Sequence, residues 1–389
     1  MKKGKKNLLF ILTIIFIAIL GVITAYLYKT KLEENSISMI NITGGQEADS
    51  ATETEQEKTI KCYSGNDRPI AVMIDNHSQA MPHAGLSKAY LVYEIIVEGG
   101  ESRLMALFKG QDVDKIGPVR SSRHYFLDYA MENDAIYVHY GWSPEAESDI
   151  KSFNINNING LYDSNFWRVK DKKAPHNAVT STKKILEVAK EKKYRTTSDA
   201  EPVLNYVTEE INLDEEYKTN ENSNETQNSN LGTPSKVNVI DAINITIPYS
   251  SSNKVKWEYD STNKVYKRYS KGKEEVEWDT GKEVTAKNII IELIKNTDLT
   301  TSKDDQEKGR QTMNTVGTKD GYYITNGKAI KITCEKTSRK SKTIYKDENG
   351  NKIKVNDGNT FIQICPIDSN VKFEEWLINN EQVCSKAIR

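Results

Sequence analysis

Cysteine is scarce: Cys62, Cys334, Cys365 and Cys384 are the four in 389 residues. No CxxC pair or Cys/His spacing joins them, which argues against a zinc site. In an oxidising compartment they allow up to two disulfides in three connectivities, and buried free thiols fit equally well. Histidine is nearly as rare, and all five residues (His77, His83, His124, His139, His176) precede position 177. There is no HxH or HExxH spacing, so no metal site is indicated. GxSxG, a Walker loop and a dinucleotide fingerprint are also missing, which removes positive support for nucleophilic serine chemistry and leaves any cofactor unknown. Charge of one sign is lacking too, with a net charge of −1 and a pI near 6.6. Without a basic stretch interleaved with aromatics, no nucleic-acid partner is expected.

Only one long hydrophobic run exists. Four lysines (Lys2, Lys3, Lys5, Lys6) precede a charge-free, mostly apolar segment from Leu8 to Tyr28. About twenty such residues span a bilayer as a helix. The run is long for a signal-peptide core and ends in a poor cleavage pattern. The excess of lysine before it predicts an N-in, C-out signal anchor in the cytoplasmic membrane. The expected organisation is a cytoplasmic tail at 1–7, the transmembrane anchor at 8–28 and a disordered polar stalk at 29–66.

Beyond the stalk, PIAVMID reads as a buried strand ending on Asp75. LVYEIIVE and SRLMALFKG flank Gly99-Gly100 as a β-hairpin. DAIYVHYGW is another strand, and SPEAESDIKSF is a helix with Ser143 as cap and Pro144 at its first position. A further helix is expected from Thr182 to Lys192. Strands alternate with helices, so 67–210 reads as an α/β domain. Residues 211–235 are a polar linker, and 236–389 hold many short strands between Gly, Asn and Asp. The fold class is therefore an α/β N-terminal ectodomain followed by a mainly-β C-terminal domain, behind a transmembrane anchor. With no histidine, the second segment is better suited to bind or brace.

The most chemically loaded stretch is IGPVRSSRHYF, Ile116 to Phe126. Gly117-Pro118 reads as a turn. Ser121 or Ser122 is a good cap for a helix to about Met131, whose apolar stripe is Phe126, Leu127, Ala130 and Met131. Arg120 and Arg123 beside free helix N–H groups make an anion cradle. The competing reading pairs these arginines with carboxylates such as Glu94 or Glu98.

DNHSQAMPHAGL, VYEIIVEGGESRLMALF, IGPVRSSRHYF, DAIYVHYGWSPEA, FWRVKDKKAPHN and GYYITNGKAIKIT together resemble the YerB-like bacterial envelope lipoproteins, a domain-of-unknown-function family with N- and C-terminal parts. The resemblance covers essentially the whole ectodomain. It implies an extracytoplasmic, membrane-attached protein and supplies no reaction. The chain departs from the family pattern in having an anchor in place of a lipid-attachment cysteine, and in Met81, His83, His124 and Cys334. These departures weaken roles for His83, His124 and Cys334, and leave His77, His139 and His176.

Glu94 sits inside an apolar run, where a carboxylate needs a partner. It is a candidate for acid–base work, whereas Glu98 is expected to face Arg103 across the hairpin. His139 ends a strand, where ligand sites gather in α/β sheets. His176 and Asn177 lie in a lysine-rich loop. Three functions stay open. One is binding of an anionic wall polymer or lipid-linked precursor through Arg103, Arg120, Ser121, Arg123 and Asn177. Another is a hydrolase or transferase using His139, His176 and Glu94. The third is a scaffold for other envelope proteins.

Overall fold

PIAVMID is apolar at almost every position, and a strand without a polar face belongs where both faces are covered. Strand β1 (Ile70–Asp75) is buried along its whole length. The computed structural model describes residues 59–218 and 237–374. The expected tail, anchor and nearly all of the stalk lie outside these, as do most of the linker and Cys384.

The N-terminal segment continues with β2 (Leu91–Ile96), β3 (Ser102–Phe108), α1 (His124–Glu132), β4 (Ile136–His139), α2 (Pro144–Ser152), β5 (Asn157–Asn159) and α3 (Thr182–Glu191). The hairpin forms as its sequence predicts, β2 running antiparallel to β3. Gly99 and Gly100 both adopt positive φ, 69° and 73°, where other residues are strained. Ser143 caps α2, its hydroxyl accepting from the Ala146 N–H at 3.3 Å.

The C-terminal segment is rich in strands. Its main ones are β6 (Asn244–Pro248), β7 (Lys254–Asp260), β8 (Val265–Ser270), β9 (Asn288–Ile294), β10 (Gly317–Thr325), β11 (Lys328–Lys336), β12 (Ile344–Asp347), β13 (Thr360–Pro366) and β14 (Lys372–Glu374). They do not form a sheet of their own alone. An 11-stranded sheet runs β12-β11-β10-β9-β13-β2-β3-β1-β4-β5, with a short strand at Ile240–Asp241 beside β11. Its seam is a parallel pairing of β13 with β2, from Leu91↔Thr360 to Ile95↔Ile364. Both sequence segments therefore share one hydrogen-bonded layer. A six-stranded sheet, centred on β8-β7-β6-β14, covers one face of it. Trp257 on β7 packs edge-on against Phe361 on β13, with ring centroids 4.9 Å apart.

Side chains alternate along a strand, so Tyr93 and Glu94 of β2 point to opposite faces. Tyr93 meets Tyr129 of α1 at 4.9 Å, while Glu94 meets Arg268 of β8 at 3.0 Å. The centre is thus three layers: helix, large sheet, small sheet. Both interfaces bury charge. On the helix side Lys336 pairs with Glu132 at 2.6 Å, and both side chains are fully buried.

Two local expectations are corrected. Ser121 and Ser122 are not the helix cap; α1 starts after Arg123, whose side chain makes no capping bond. The serines are held extended because Ser122 N–H donates to the Gly141 carbonyl and its own carbonyl accepts from Ser143 N–H. The stripe of α1 is Tyr125, Phe126, Leu127, Tyr129 and Ala130, and Met131 is only half-buried. Gly117-Pro118 is likewise part of a bridged, extended segment, Gly117 pairing with Ala84. A Cβ at Gly117 would stand 2.8 Å from the Val119 nitrogen, so the segment needs glycine there. Cys62, Cys334 and Cys365 are free thiols. Burial pushes Cys62 up to about 12.

Removing one partner of a buried ion pair leaves an uncompensated charge and typically costs about 3–5 kcal/mol. Arg268→Leu and Lys336→Leu are each expected to lower the unfolding free energy by about that amount in urea titrations. Lys151→Ala, which breaks an exposed pair with Glu147, should leave the midpoint unchanged.

Candidate functional site

The carboxyl end of β1 is where the predicted residues converge. Asp75 is its last residue, opposite Arg103 in the antiparallel register with β3. The stretch before α1 then brings Arg120 and Arg123 across the same end. Glu98, in the hairpin turn, lies between two arginines. Its carboxylate accepts both Nε and Nη2 of Arg123, the latter at 2.9 Å, and stands 3.9 Å from Arg103. Burial works against the Glu98 charge, but Arg123 and Arg103 hold its carboxyl below the usual range. The expected Glu98–Arg103 pair is therefore part of a three-residue cluster in which Arg123 is the closer partner.

The three arginines differ in how far they are committed. Arg123 also donates through Nη1 to the Ser122 carbonyl at 2.7 Å. Arg103 donates to the Ser121 carbonyl at 2.6 Å, and burial first, then the charge of Arg123, draw it down to about 10. Arg120 makes one ion pair among the described residues, through Nε to Asp75 Oδ2 at 3.5 Å, and its side chain is 27% exposed. Among these five groups, the three guanidiniums exceed the carboxylates of Asp75 and Glu98 by one positive charge.

Asp75 Oδ2 has a second partner. His176 Nδ1 lies 2.7 Å from it, and the His176 ring stacks on His77 with centroids 4.5 Å apart and planes 17° from parallel. Ser78 and Gln79, just after His77, and Lys173, shortly before His176, wall a cavity of about 450 Å³ together with Trp278, and neither histidine lines it. A larger cavity of about 820 Å³, bordered by Tyr63, Lys109 and Tyr345, contains none of the predicted residues.

The other candidates are placed as supports. Ser121 donates its hydroxyl to the Tyr140 carbonyl at 2.9 Å. Asn177 is buried, accepting from Arg168 at 2.6 Å and donating to the carbonyls of Val169 and Lys172, so it anchors the loop that carries His176. His139 is fully buried. Its Nδ1–H donates to the Gly141 carbonyl at 2.8 Å, the same oxygen that receives Ser122 N–H, and Nε2 faces the Asn157 amide at 3.3 Å. It braces the arginine-bearing stretch from behind, and no hydrogen bond, ion pair or ring contact joins it to His176 among the described residues.

Glu94 is fully buried. Oε1 accepts from Asn76 and Ser102 at 3.1 and 2.7 Å, and Oε2 lies 3.0 Å from Arg268 Nη2. That last pair is close in distance but poorly aligned for a hydrogen bond, so Arg268 Nη2 and Glu94 Oε2 count as an ion pair only. Arg268 Nε donates to Glu275 at 2.6 Å, and Glu275 reaches His83 Nδ1 at 2.5 Å. His83 Nε2–H in turn donates to the Asp75 carbonyl at 2.8 Å. Burial opposes the Glu275 charge, but Arg268 and then His83 hold its carboxyl down at about 2. Among the described residues no contact joins Glu94, His139 and His176 to one another; His176 is joined instead to Asp75 and His77. Sequence reasoning missed Arg268, though a signal exists: it shares strand parity with Tyr266 and Ser270, the buried face of β8.

Profiles described as the N-terminal and C-terminal domains of DUF3048, a protein of unknown function, match residues 54–195 and 245–362. The chain belongs to the DUF3048 family. It is 33% identical over 243 residues to a Bacillus subtilis (strain 168) protein named "Putative lipoprotein YerB", covering 61% of this chain and 64% of that one. The chain thus spans less than two thirds of that relative's length. The crystal structure of YerB from Bacillus subtilis superposes with a TM-score of 0.64 at 29% identity, covering 79% of this chain and 94% of the other. The chain is a mixed α/β protein with a sheet-rich C-terminal part, similar in fold to YerB.

Burial holds the His139 imidazole down at about 4 against an ordinary 6.5. As pH falls from 6.5, the unfolded chain takes up a proton that the folded one refuses, so stability present above 6.5 is lost progressively down to about 4. The loss is on the order of 3 kcal/mol. Urea unfolding between these pH values is expected to show it in the parent and to show a smaller loss in His139→Gln.

Proposed function

We propose that this chain is an envelope-associated, membrane-attached protein that binds an anionic ligand at the carboxyl end of β1. The site comprises Arg120, Arg103 and Arg123, with Ser121 and Asn177 holding the loops. The observation that carries this reading is Arg120. A guanidinium offers five donors in a rigid fork matched to phosphate or carboxylate oxygens. Here one of them meets Asp75 at 3.5 Å and the side chain remains partly open, while its two neighbours are committed to Glu98 and to backbone carbonyls. The excess positive charge of the patch favours an anion.

The lipoprotein name of the Bacillus relative supports an extracytoplasmic setting, as does the apolar run at 8–28, which we read as a single membrane-spanning anchor. No helix among the described residues is long and apolar enough to cross a membrane. In that setting the accessible polyanions are phosphate-bearing wall polymers and lipid-linked glycan precursors, and we take these as the ligand class.

Charge-assisted hydrogen bonds contribute about 1.5–3 kcal/mol each. Calorimetric titration with inorganic pyrophosphate is therefore expected to show binding that weakens with salt and falls about 10-fold or more in Arg120→Ala. Equal affinity in parent and variant, or no binding by the parent, would make the arginines purely structural.

A further inference from the structure

A fourth guanidinium, that of Arg168, stands near this end of the sheet, and backbone pairing fixes its place. Trp167–Arg168 runs antiparallel to Ala178–Val179, and the Val119 N–H donates to the Ala178 carbonyl at 2.6 Å. Two strand spacings, roughly 10 Å, therefore separate Arg168 from the backbone that carries Arg120. The side chain is placed as firmly. Its Nη1 donates to Asn177 Oδ1 at 2.6 Å, and its guanidinium carbon stands 5.1 Å from the centre of the Tyr140 ring, a cation–π contact. Tyr140 is itself held. Its N–H donates to the Arg120 carbonyl at 3.0 Å, and its ring lies where Gly160 has no side chain, since a Cβ there would fall 2.2 Å from Tyr140 Cδ2. The partners of the two arginines are also linked: Asp75 joins Arg120 to His176, and the next residue, Asn177, holds Arg168. Arg168 is nevertheless exposed, and no carboxylate among the described residues pairs with it.

The surrounding charges favour an anion there. From Arg168 to Lys173 the chain reads RVKDKK, four cations against the carboxylate of Asp171. Lys172 is committed to the carbonyls of Ala80 and Pro82 and to the Trp278 ring, whereas Lys170 and Lys173 are exposed. The nearby Lys115–Asp279 and Lys192–Asp163 pairs balance internally.

We infer that Arg168, seated on Tyr140 and flanked by Lys170, forms a second anion subsite, so that the ligand is a sugar or polyol bearing two phosphate groups. This rests on the anion-binding reading above, in which Arg120 holds the first phosphate. Each guanidinium is tethered to its own partner, Asp75 or Asn177, so the pair fits two phosphates on one ligand better than one shared phosphate. A guanidinium fork already oriented by a ring and a side-chain amide loses little freedom when it meets a phosphate. Asn177 acts as the positioning residue, because its amide also holds the carbonyls of Val169 and Lys172 on either side of the basic run. Neighbouring repeats of a phosphate-bearing polymer present groups of this kind.

The test is calorimetric titration of the full-length protein in detergent with fructose 6-phosphate and with fructose 1,6-bisphosphate, alongside pyrophosphate. The bisphosphate is expected to bind about 10-fold or more tightly than the monophosphate, with a preference that weakens as salt is raised. Arg168→Ala should remove that preference and leave the monophosphate affinity unchanged, which also shows the variant to be folded. Arg120→Ala should weaken both sugars. Lys190→Ala, which removes an exposed cation from α3, should change neither. Equal affinity for the two sugars in the parent, with pyrophosphate binding still lost in Arg120→Ala, would overturn the second subsite and leave the binding reading standing. A bisphosphate preference that persists in Arg168→Ala, or that falls as far in Lys190→Ala, would overturn it too. Absence of binding by all three probes would remove the anion site itself, and this inference with it.

Discussion

A chain of buried polar groups ties the two sheets together: Glu94 on the large sheet, Arg268 on the small one, then Glu275 and His83. Arg268 and Glu94 are both shielded from solvent, and so are Glu275 and His83. A carboxylate or guanidinium left without its partner in that interior would be costly, which binds Glu94, Arg268 and Glu275 to one another. The arrangement reaches beyond packing. His83 ends the chain on the backbone carbonyl of Asp75, whose side chain orients His176. The small C-terminal sheet thereby helps fix the geometry of a site built from the N-terminal segment.

The same division of labour holds around the arginines. Arg103 and Arg123 spend their donors on Glu98 and on the carbonyls of Ser121 and Ser122, which makes a rigid, positively charged floor. His139, Tyr137 and Gly141 hold the Ser121–Ser122 segment from beneath; Tyr137 donates its hydroxyl to Ser122 Oγ at 2.8 Å. Of Arg103, Arg123 and Arg120, the last is the most exposed. Preorganised cations of this kind need little rearrangement to meet an anion, which is what an electrostatic binding site requires.

Much of the fold was legible in the chain. The apolar run at β1, the glycine pair between β2 and β3, and the Ser143-Pro144 start of α2 each follow from local chemistry, and each forms where the residues say. The family resemblance was likewise carried by contiguous motifs. The serines before α1 were misread because capping propensity is a local rule, whereas their backbone groups were claimed by Gly141 and Ser143, some twenty residues away. Local rules cannot register a partner that distant.

By itself the sequence determined the element types, the sheet-rich character of the second segment and the zone in which the histidines and arginines cluster, because periodicity, turn residues and composition act over a few neighbours. Only the tertiary structure decided that β2 and β13 join the segments into one sheet. Only it could withdraw Glu94 and His139 into supporting roles and set Asp75 beside His176. Those outcomes depend on which side chains meet across 101 residues of chain, or 174 from Glu94 to Arg268, and such meetings are set by packing the whole core.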